Sequence, residues 1–158
     1  MNIFNASQSG NLETLQKILE EGIDPNIKDR VGKTALIYAS WYGNLSCIKA
    51  LLKAGAQPNI QNEDGWTALI CASRYGHVPC VKVLLRAGAS NIKDSLGDTA
   101  LLKASRVGHN IIVKILIRMV IVSFLNKHYK NFKHYENFKH YENFNYDLIR
   151  ELSYFLLF

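Results

Sequence analysis

The chain has 158 residues, 48% of them hydrophobic and 20% charged, which is enough for one domain with a buried core and ordinary for a globular protein. A formal net charge of +6 favours acidic partners without identifying them. Three cysteines without paired spacing argue against a disulfide framework and for a reducing compartment.

The opening, "MNIFNASQSG", lacks a basic segment followed by an apolar run, so no secretory signal is expected. Residues 1–29 carry Glu13, Glu20, Glu21, Asp24 and Asp29 against Lys17 and Lys28. Residues 30–118 carry twelve Lys and Arg against Glu63, Asp64, Asp94 and Asp98, so the middle of the chain holds the positive excess.

Internal repetition organises that middle. "DRVGKTALIYASWYGNLSCIKALLKAGAQPNIQ" from Asp29, "NEDGWTALICASRYGHVPCVKVLLRAGASNIK" from Asn62 and "DSLGDTALLKASRVGHNIIVKILIR" from Asp94 align end to end. Gly10, Gly43 and Gly76 lie 33 residues apart and Gly108 follows after 32, the slip falling where "AQPN" becomes "ASN". A partial copy, "NASQSGNLETLQKILEEGIDPNIK", precedes them with a helix pair but no complete turn ahead of it.

Each unit reads as a helix pair. Thr34, Thr67 and Thr99 are N-caps of a short first helix, which ends at Gly43, Gly76 or Gly108. The second helix, as in "LSCIKALLKA", places Leu45, Ile48, Leu51 and Leu52 at helical period and stops at Gly55 or Gly88. Ala35, Ala39, Ala68, Ala72, Ala100 and Ala104 allow close helix packing. One such unit cannot bury its apolar face alone, so neighbours must stack.

From Phe4 to Arg118 the chain resembles the ankyrin repeat family: period, glycines, "T-A-L", "A-S-x-x-G-H" and "L-L-x-A-G-A" recur in order. The family's "T-P-L-H" is altered, with Ala35, Ala68 and Ala100 in place of proline and Ile37, Ile70 and Leu102 in place of histidine, leaving an apolar contact in each repeat. The resemblance implies an all-α solenoid: a degenerate N-terminal repeat over 1–28, repeats over 29–61, 62–93 and 94–118, and a tail over 119–158.

It also implies a concave binding surface made of turn tips and the exposed side of each first helix. Carried over position by position, that surface holds Arg30, Val31 and Lys33; Glu63, Asp64 and Trp66; and Ser95, Leu96 and Asp98 on the tips. On the helices it holds Tyr38, Trp41 and Tyr42; Cys71, Arg74 and Tyr75; and Lys103, Arg106 and Val107. Both tryptophans of the chain fall in this set, and Trp, Tyr and Arg are the types enriched at binding hot spots. The partner-binding candidates are therefore Arg30, Lys33, Tyr38, Trp41, Tyr42, Trp66, Arg74, Tyr75, Asp98 and Arg106. Packing of Trp41 and Trp66 against neighbouring repeats is the competing reading.

Catalytic chemistry is not expected: there is no phosphate loop, dinucleotide turn or paired metal-ligand motif, and no cofactor is implied. His77 and His109, at the "G-H" position, read as structural. Cys47 and Cys80, at equivalent positions of adjacent repeats, read as buried thiols, since packed helices lie about 8–10 Å apart, beyond disulfide reach. Cys71 is expected to be more exposed than either.

After Arg118 the repeat pattern fails and the last helix is expected to run on through "MVIVSFLNK". The apolar window Ile111–Leu125 is broken by Lys114 and Arg118 and falls short of the ~20 residues of a membrane span. Residues 128–145 form three hexads with aromatics every third position, a stripe that winds around a helix instead of making one face. His128, His134 and His140 likewise share no helix face, which argues against a zinc cluster; low-complexity sequence with little fixed structure is expected there. In 146–158, Leu148, Ile149, Leu152, Phe155 and Leu156 outline an amphipathic helix. It reads as a cap on the third repeat or as a helix docking on a membrane surface or a partner. "DLIRELSYFL" also faintly resembles the start of the F-box-like segment with which some ankyrin proteins recruit a ubiquitin ligase.

The expected function is noncovalent protein binding by a cytoplasmic, monomeric adaptor, through the concave face, with an acidic partner favoured. A nucleic-acid binder using the basic repeats and the aromatic–lysine tail, and a substrate-targeting adaptor using the last helix, are the alternatives.

Overall fold

The computed structural model describes residues 2–128; the hexad tract beyond His128 and the helix expected over 146–158 lie outside the described residues. The described elements are all helical: α1 Ile3–Ser9, α2 Leu12–Glu20, α3 Ala35–Tyr42, α4 Leu45–Lys53, α5 Ala68–Arg74, α6 Val78–Arg86, α7 Ala100–Val107 and α8 Asn110–His128. The chain divides into two compact units, residues 1–120 and 121–158, and the described part of the second is the end of α8.

Local chemistry sets the helix starts. Thr34, Thr67 and Thr99 are extended, and each Oγ1 accepts from the amide three residues on, at 3.3 Å, which satisfies one of the donors that a helix start leaves open. Asn2 and Asn11 cap α1 and α2 in the same way. Helices α1, α3 and α7 end on left-handed Gly10, Gly43 and Gly108; in α5 the cap is Tyr75 and the left-handed Gly76 comes one residue later.

Packing follows from side-chain size. Helices α1, α3, α5 and α7 stack in one layer, α2, α4 and α6 in a second, and α1, α3 and α5 each pack on the second helix of their own pair. The six alanines expected to permit close approach are all buried in the first layer. Leu36, Leu69, Ile48, Leu51, Val81 and Leu84 fill the space between layers, and Ile112 and Leu116 of α8 join the same core. The stacking explains one departure from the sequence reading. Ile37 and Ile70 are buried where a further first helix packs beside them, but Leu102 is exposed because α7 is the last of its layer among the described residues.

Side chains at one recurring position also tie pair to pair. Asn44 Nδ2 donates to the carbonyls of Ser7 and Gln8, His77 Nε2 to Trp41 and His109 Nε2 to Arg74. These carbonyls sit in the last turn of the preceding first helix, where no intrahelical donor reaches them. The two histidines are therefore inter-repeat struts.

Candidate functional site

The turn tips are built by one side chain at their base. Asp29 Oδ1 accepts from the amides of Val31 and Lys33, Asn62 Oδ1 from Trp66, and Asp94 Oδ1 from Leu96 and Asp98. Adjacent tips are then joined by backbone bonds, Glu63 N to Val31 O at 3.3 Å and Ser95 N to Asp64 O at 3.0 Å. The tips thus form a bonded row that presents Lys33, Trp66 and Asp98 at equivalent positions beside the first helices.

Across this row the side chains interlock. The rings of Trp41 and Trp66 stack with centroids 5.5 Å apart, and Tyr75 lies 4.9 Å from Trp41. Lys33 Nζ sits 4.8 Å from the Trp41 ring and 5.4 Å from that of Tyr38, while Lys103 Nζ sits 5.1 Å from Trp66. These are cation–π distances. Residues from three consecutive helix pairs therefore make one aromatic and cationic ridge. Trp66 and Trp41 are half-buried, and Trp66 packs against the hydrophobic core. The ring on the turn is both a prop for the stack and a partly open surface.

The ridge ends in ion pairs. Lys103 Nζ lies 2.8 Å from Asp94 and 3.0 Å from Asp98, and Arg106 pairs with the same Asp98 oxygen. Burial alone would raise Asp94, but the Lys103 ammonium and the amides of Asp98 and Leu96 outweigh it and hold the carboxyl below the usual range. Lys103 and then Arg106 hold Asp98 low, and Asp94 first among its causes pushes Lys103 up. Such lowered carboxylates contribute stability above their unfolded pKa and lose it as pH falls through the folded value; the raised lysine contributes below its unfolded pKa and loses it as pH rises through the folded one. The tip is thus electrostatically supported between about pH 4 and pH 10. Lys103→Met is expected to lower stability by about 2 kcal/mol at pH 7, less than for a fully enclosed pair because Arg106 stays on Asp98. Urea titrations from pH 7 to pH 2 should show that deficit shrinking as the carboxyls protonate; a constant deficit would mean that packing, not charge, supplies the effect.

The ten candidate residues are placed unevenly. Lys33, Tyr38, Trp41, Trp66 and Tyr75 converge on the ridge. Tyr42 is half exposed and accepts from Gln8 Nε2. Arg30 and Arg74 are exposed, and Arg106 is largely so. Asp98 is buried within its ion pairs, so it braces Arg106 and Lys103 more than it faces outward. Tyr38 donates to Asp29 Oδ2 at 2.7 Å, and that bond, with burial, pushes its phenol up to about 12.

Two residues differ from the sequence reading. Cys71 is fully buried, not exposed, and lies within electrostatic reach of Lys33 and Tyr75. Burial pushes its thiol up to about 12, which leaves it protonated and unreactive at neutral pH. Lys103, placed on the exposed side of α7 from sequence, is buried and links Trp66 to two aspartates. Its mid-helix position opposite two tip aspartates was the signal available for it. Among the described residues no three His, Cys, Asp or Glu side chains converge as a metal-ligand set, and no helix is long and apolar enough to cross a membrane.

Comparison with curated proteins yields no match. A family model described as ankyrin repeats in three copies matches residues 3–94, more than half of the chain. Those residues contain α1 to α6 and the bonded row of tips up to Asp94, and α7 stacks on α5 as α5 does on α3. The caps at Thr34 and Thr67, the paired helices α1 to α6 and the joined tips at Val31 and Glu63 all fall within the matched residues, and the chain belongs to the ankyrin repeat family.

Proposed function

We propose that this protein binds a partner protein noncovalently through the face made by its turn tips and first helices. Ankyrin repeats are generally protein–protein interaction modules, and their fold is a non-enzymatic interaction scaffold. The observation that carries the reading to particular residues is the continuous ridge of Lys33, Trp41, Trp66 and Tyr75, which spans neighbouring repeats and is only partly covered. Trp41, Tyr42, Trp66, Arg74 and Tyr75 are the central anchors, and Arg30, Lys33 and Arg106 extend them. Because the rings are fixed by stacking and the tips by hydrogen bonds, little side-chain entropy is lost on docking. The buried free thiols Cys47, Cys71 and Cys80 fit a reducing, intracellular setting.

Nucleic-acid binding by stacking is less well supported. Trp41 and Trp66 face each other and the lysine ammoniums, whereas base stacking needs open ring faces.

The test is a paired capture from cell lysate with the intact chain and with a Trp41→Ala, Trp66→Ala, Arg74→Ala variant, matched for helicity by circular dichroism. A protein retained by the first and lost by the second supports the reading. Identical capture by both removes this face from consideration.

A further inference from the structure

The two lysines of the ridge are in different electrostatic states. Lys103 has its ammonium over an indole and two carboxylates on it, at 2.8 and 3.0 Å. Lys33 has its ammonium over an indole and a phenol, with no carboxylate at ion-pair distance among the described residues. Asp29 is near enough to feel its charge but is otherwise engaged: one oxygen holds the Val31 and Lys33 amides and the other the Tyr38 hydroxyl. Lys33 is also fixed at its base, since its amide donates to Asp29 and its carbonyl accepts from the Asp29 amide. It is a half-buried, positioned cation beside aromatic surface, lacking the anion that its counterpart has.

Charge nearby has the same sign. Arg30 on the same tip and Arg74 on the next first helix are exposed and have no ion-pair partner among the described residues. The exposed acids of the neighbouring tip, Glu63 and Asp64, make no ion pair with any of the three. An isolated ammonium loses part of its hydration against two rings, and a carboxylate brought to it forms a charge-assisted hydrogen bond stronger than a neutral one.

We infer that the partner is recognised through an acidic peptide segment, one carboxylate of which docks on Lys33 between Tyr38 and Trp41, with Arg30 and Arg74 drawing its flanking acids. This rests on the proposed function and names the chemistry of the partner. In such a complex the segment would give Lys33 what Asp94 gives Lys103.

The tryptophans report on this site directly, because Trp41 and Trp66 are the only two in the chain. The probe is a synthetic ten-residue peptide of alternating glutamate and leucine, titrated into the full chain and followed by tryptophan emission. The expected result is saturable binding that falls with added salt and is absent for the glutamine–leucine counterpart. Lys33→Gln should weaken it about tenfold, as for loss of one charged hydrogen bond. Lys33→Arg should largely retain it, which excludes a folding defect, and Lys53→Gln, an equal charge change on α4, should leave it unchanged. No saturable binding, equal loss in Lys33→Gln and Lys53→Gln, equal binding of the glutamine peptide, or tighter binding of a ten-nucleotide oligothymidylate each overturns the inference. If lysate capture depends on Trp41, Trp66 and Arg74 while Lys33→Gln binds the glutamate peptide normally, the proposed function stands and only this inference falls.

Discussion

Gly65→Ala is expected to lower unfolding stability by about 3 kcal/mol, against about 1 kcal/mol for Gly97→Ala, in parallel urea titrations. Both glycines occupy the same place in a turn tip and have φ near 80°, 77° at Gly65 and 80° at Gly97, where a β-carbon costs about 1–2 kcal/mol. Their surroundings differ. A β-carbon at Gly65 would meet the Ser95 amide nitrogen at 2.7 Å and Asp94 Cα at 2.9 Å, whereas at Gly97 nothing lies within 4 Å. The atoms met at Gly65 are backbone and cannot swing aside. The substitution must therefore part the two tips and strain the Ser95 N to Asp64 O bond that joins them. The difference between the variants isolates the joint from the conformational cost. Equal losses would show that tips are braced separately.

Leu69→Ala is the second large effect, a loss of about 3 kcal/mol in the same measurement. Leu69 is fully buried on α5, the helix that packs on α3, α6 and α7 at once. Removing its branched end leaves a cavity that these helices cannot all close, since α3 is also held by α1 and α4 and α6 by α4. In a stack stabilised by nearest-neighbour interfaces, a defect in a middle repeat weakens the contacts on both sides. Leu96→Ala is the control. Leu96 sits on the last tip with 80% of its surface exposed, so its truncation should change stability by less than about 0.5 kcal/mol. A loss at Leu96 as large as that at Leu69 would contradict the layered core.

Both effects bear on the face proposed for binding. The ridge has its shape because the tips are joined and the first helices are stacked. Gly65→Ala should therefore disturb the Trp41–Trp66 stack while leaving every ridge side chain in place chemically, and the change in tryptophan emission would report it.

Much of this architecture could be read from the sequence because it is carried by short-range chemistry repeated in order. A threonine three residues before an amide, a glycine after a helical run, and apolar residues at helical spacing act within one turn of chain. The repeated "T-A-L" and "L-L-x-A-G-A" segments therefore placed helices, caps and stacking partners correctly. The structural role of His77 and His109 was legible for the same reason, from their fixed place ahead of each second helix.

The state of individual side chains on the tip-and-helix face was settled only by tertiary structure. Trp41 reaches Trp66 and Tyr75 across repeat boundaries, and Lys103 reaches Trp66 in the same way. Repeat period places these residues at the same level of neighbouring units but says nothing of the distance between them. That distance follows from how closely the buried alanines let the first helices approach. It decides that Cys71 is covered, that Asp98 is spent on Lys103 and Arg106, and that Lys33 lies against two rings with no carboxylate at ion-pair distance among the described residues. Sequence by itself determined the family and the helix-pair layers, because those depend on local pattern. Which side chains of the tips and first helices are buried, which are paired and which stay exposed depends on inter-repeat geometry of a few ångströms, and only the folded stack sets that.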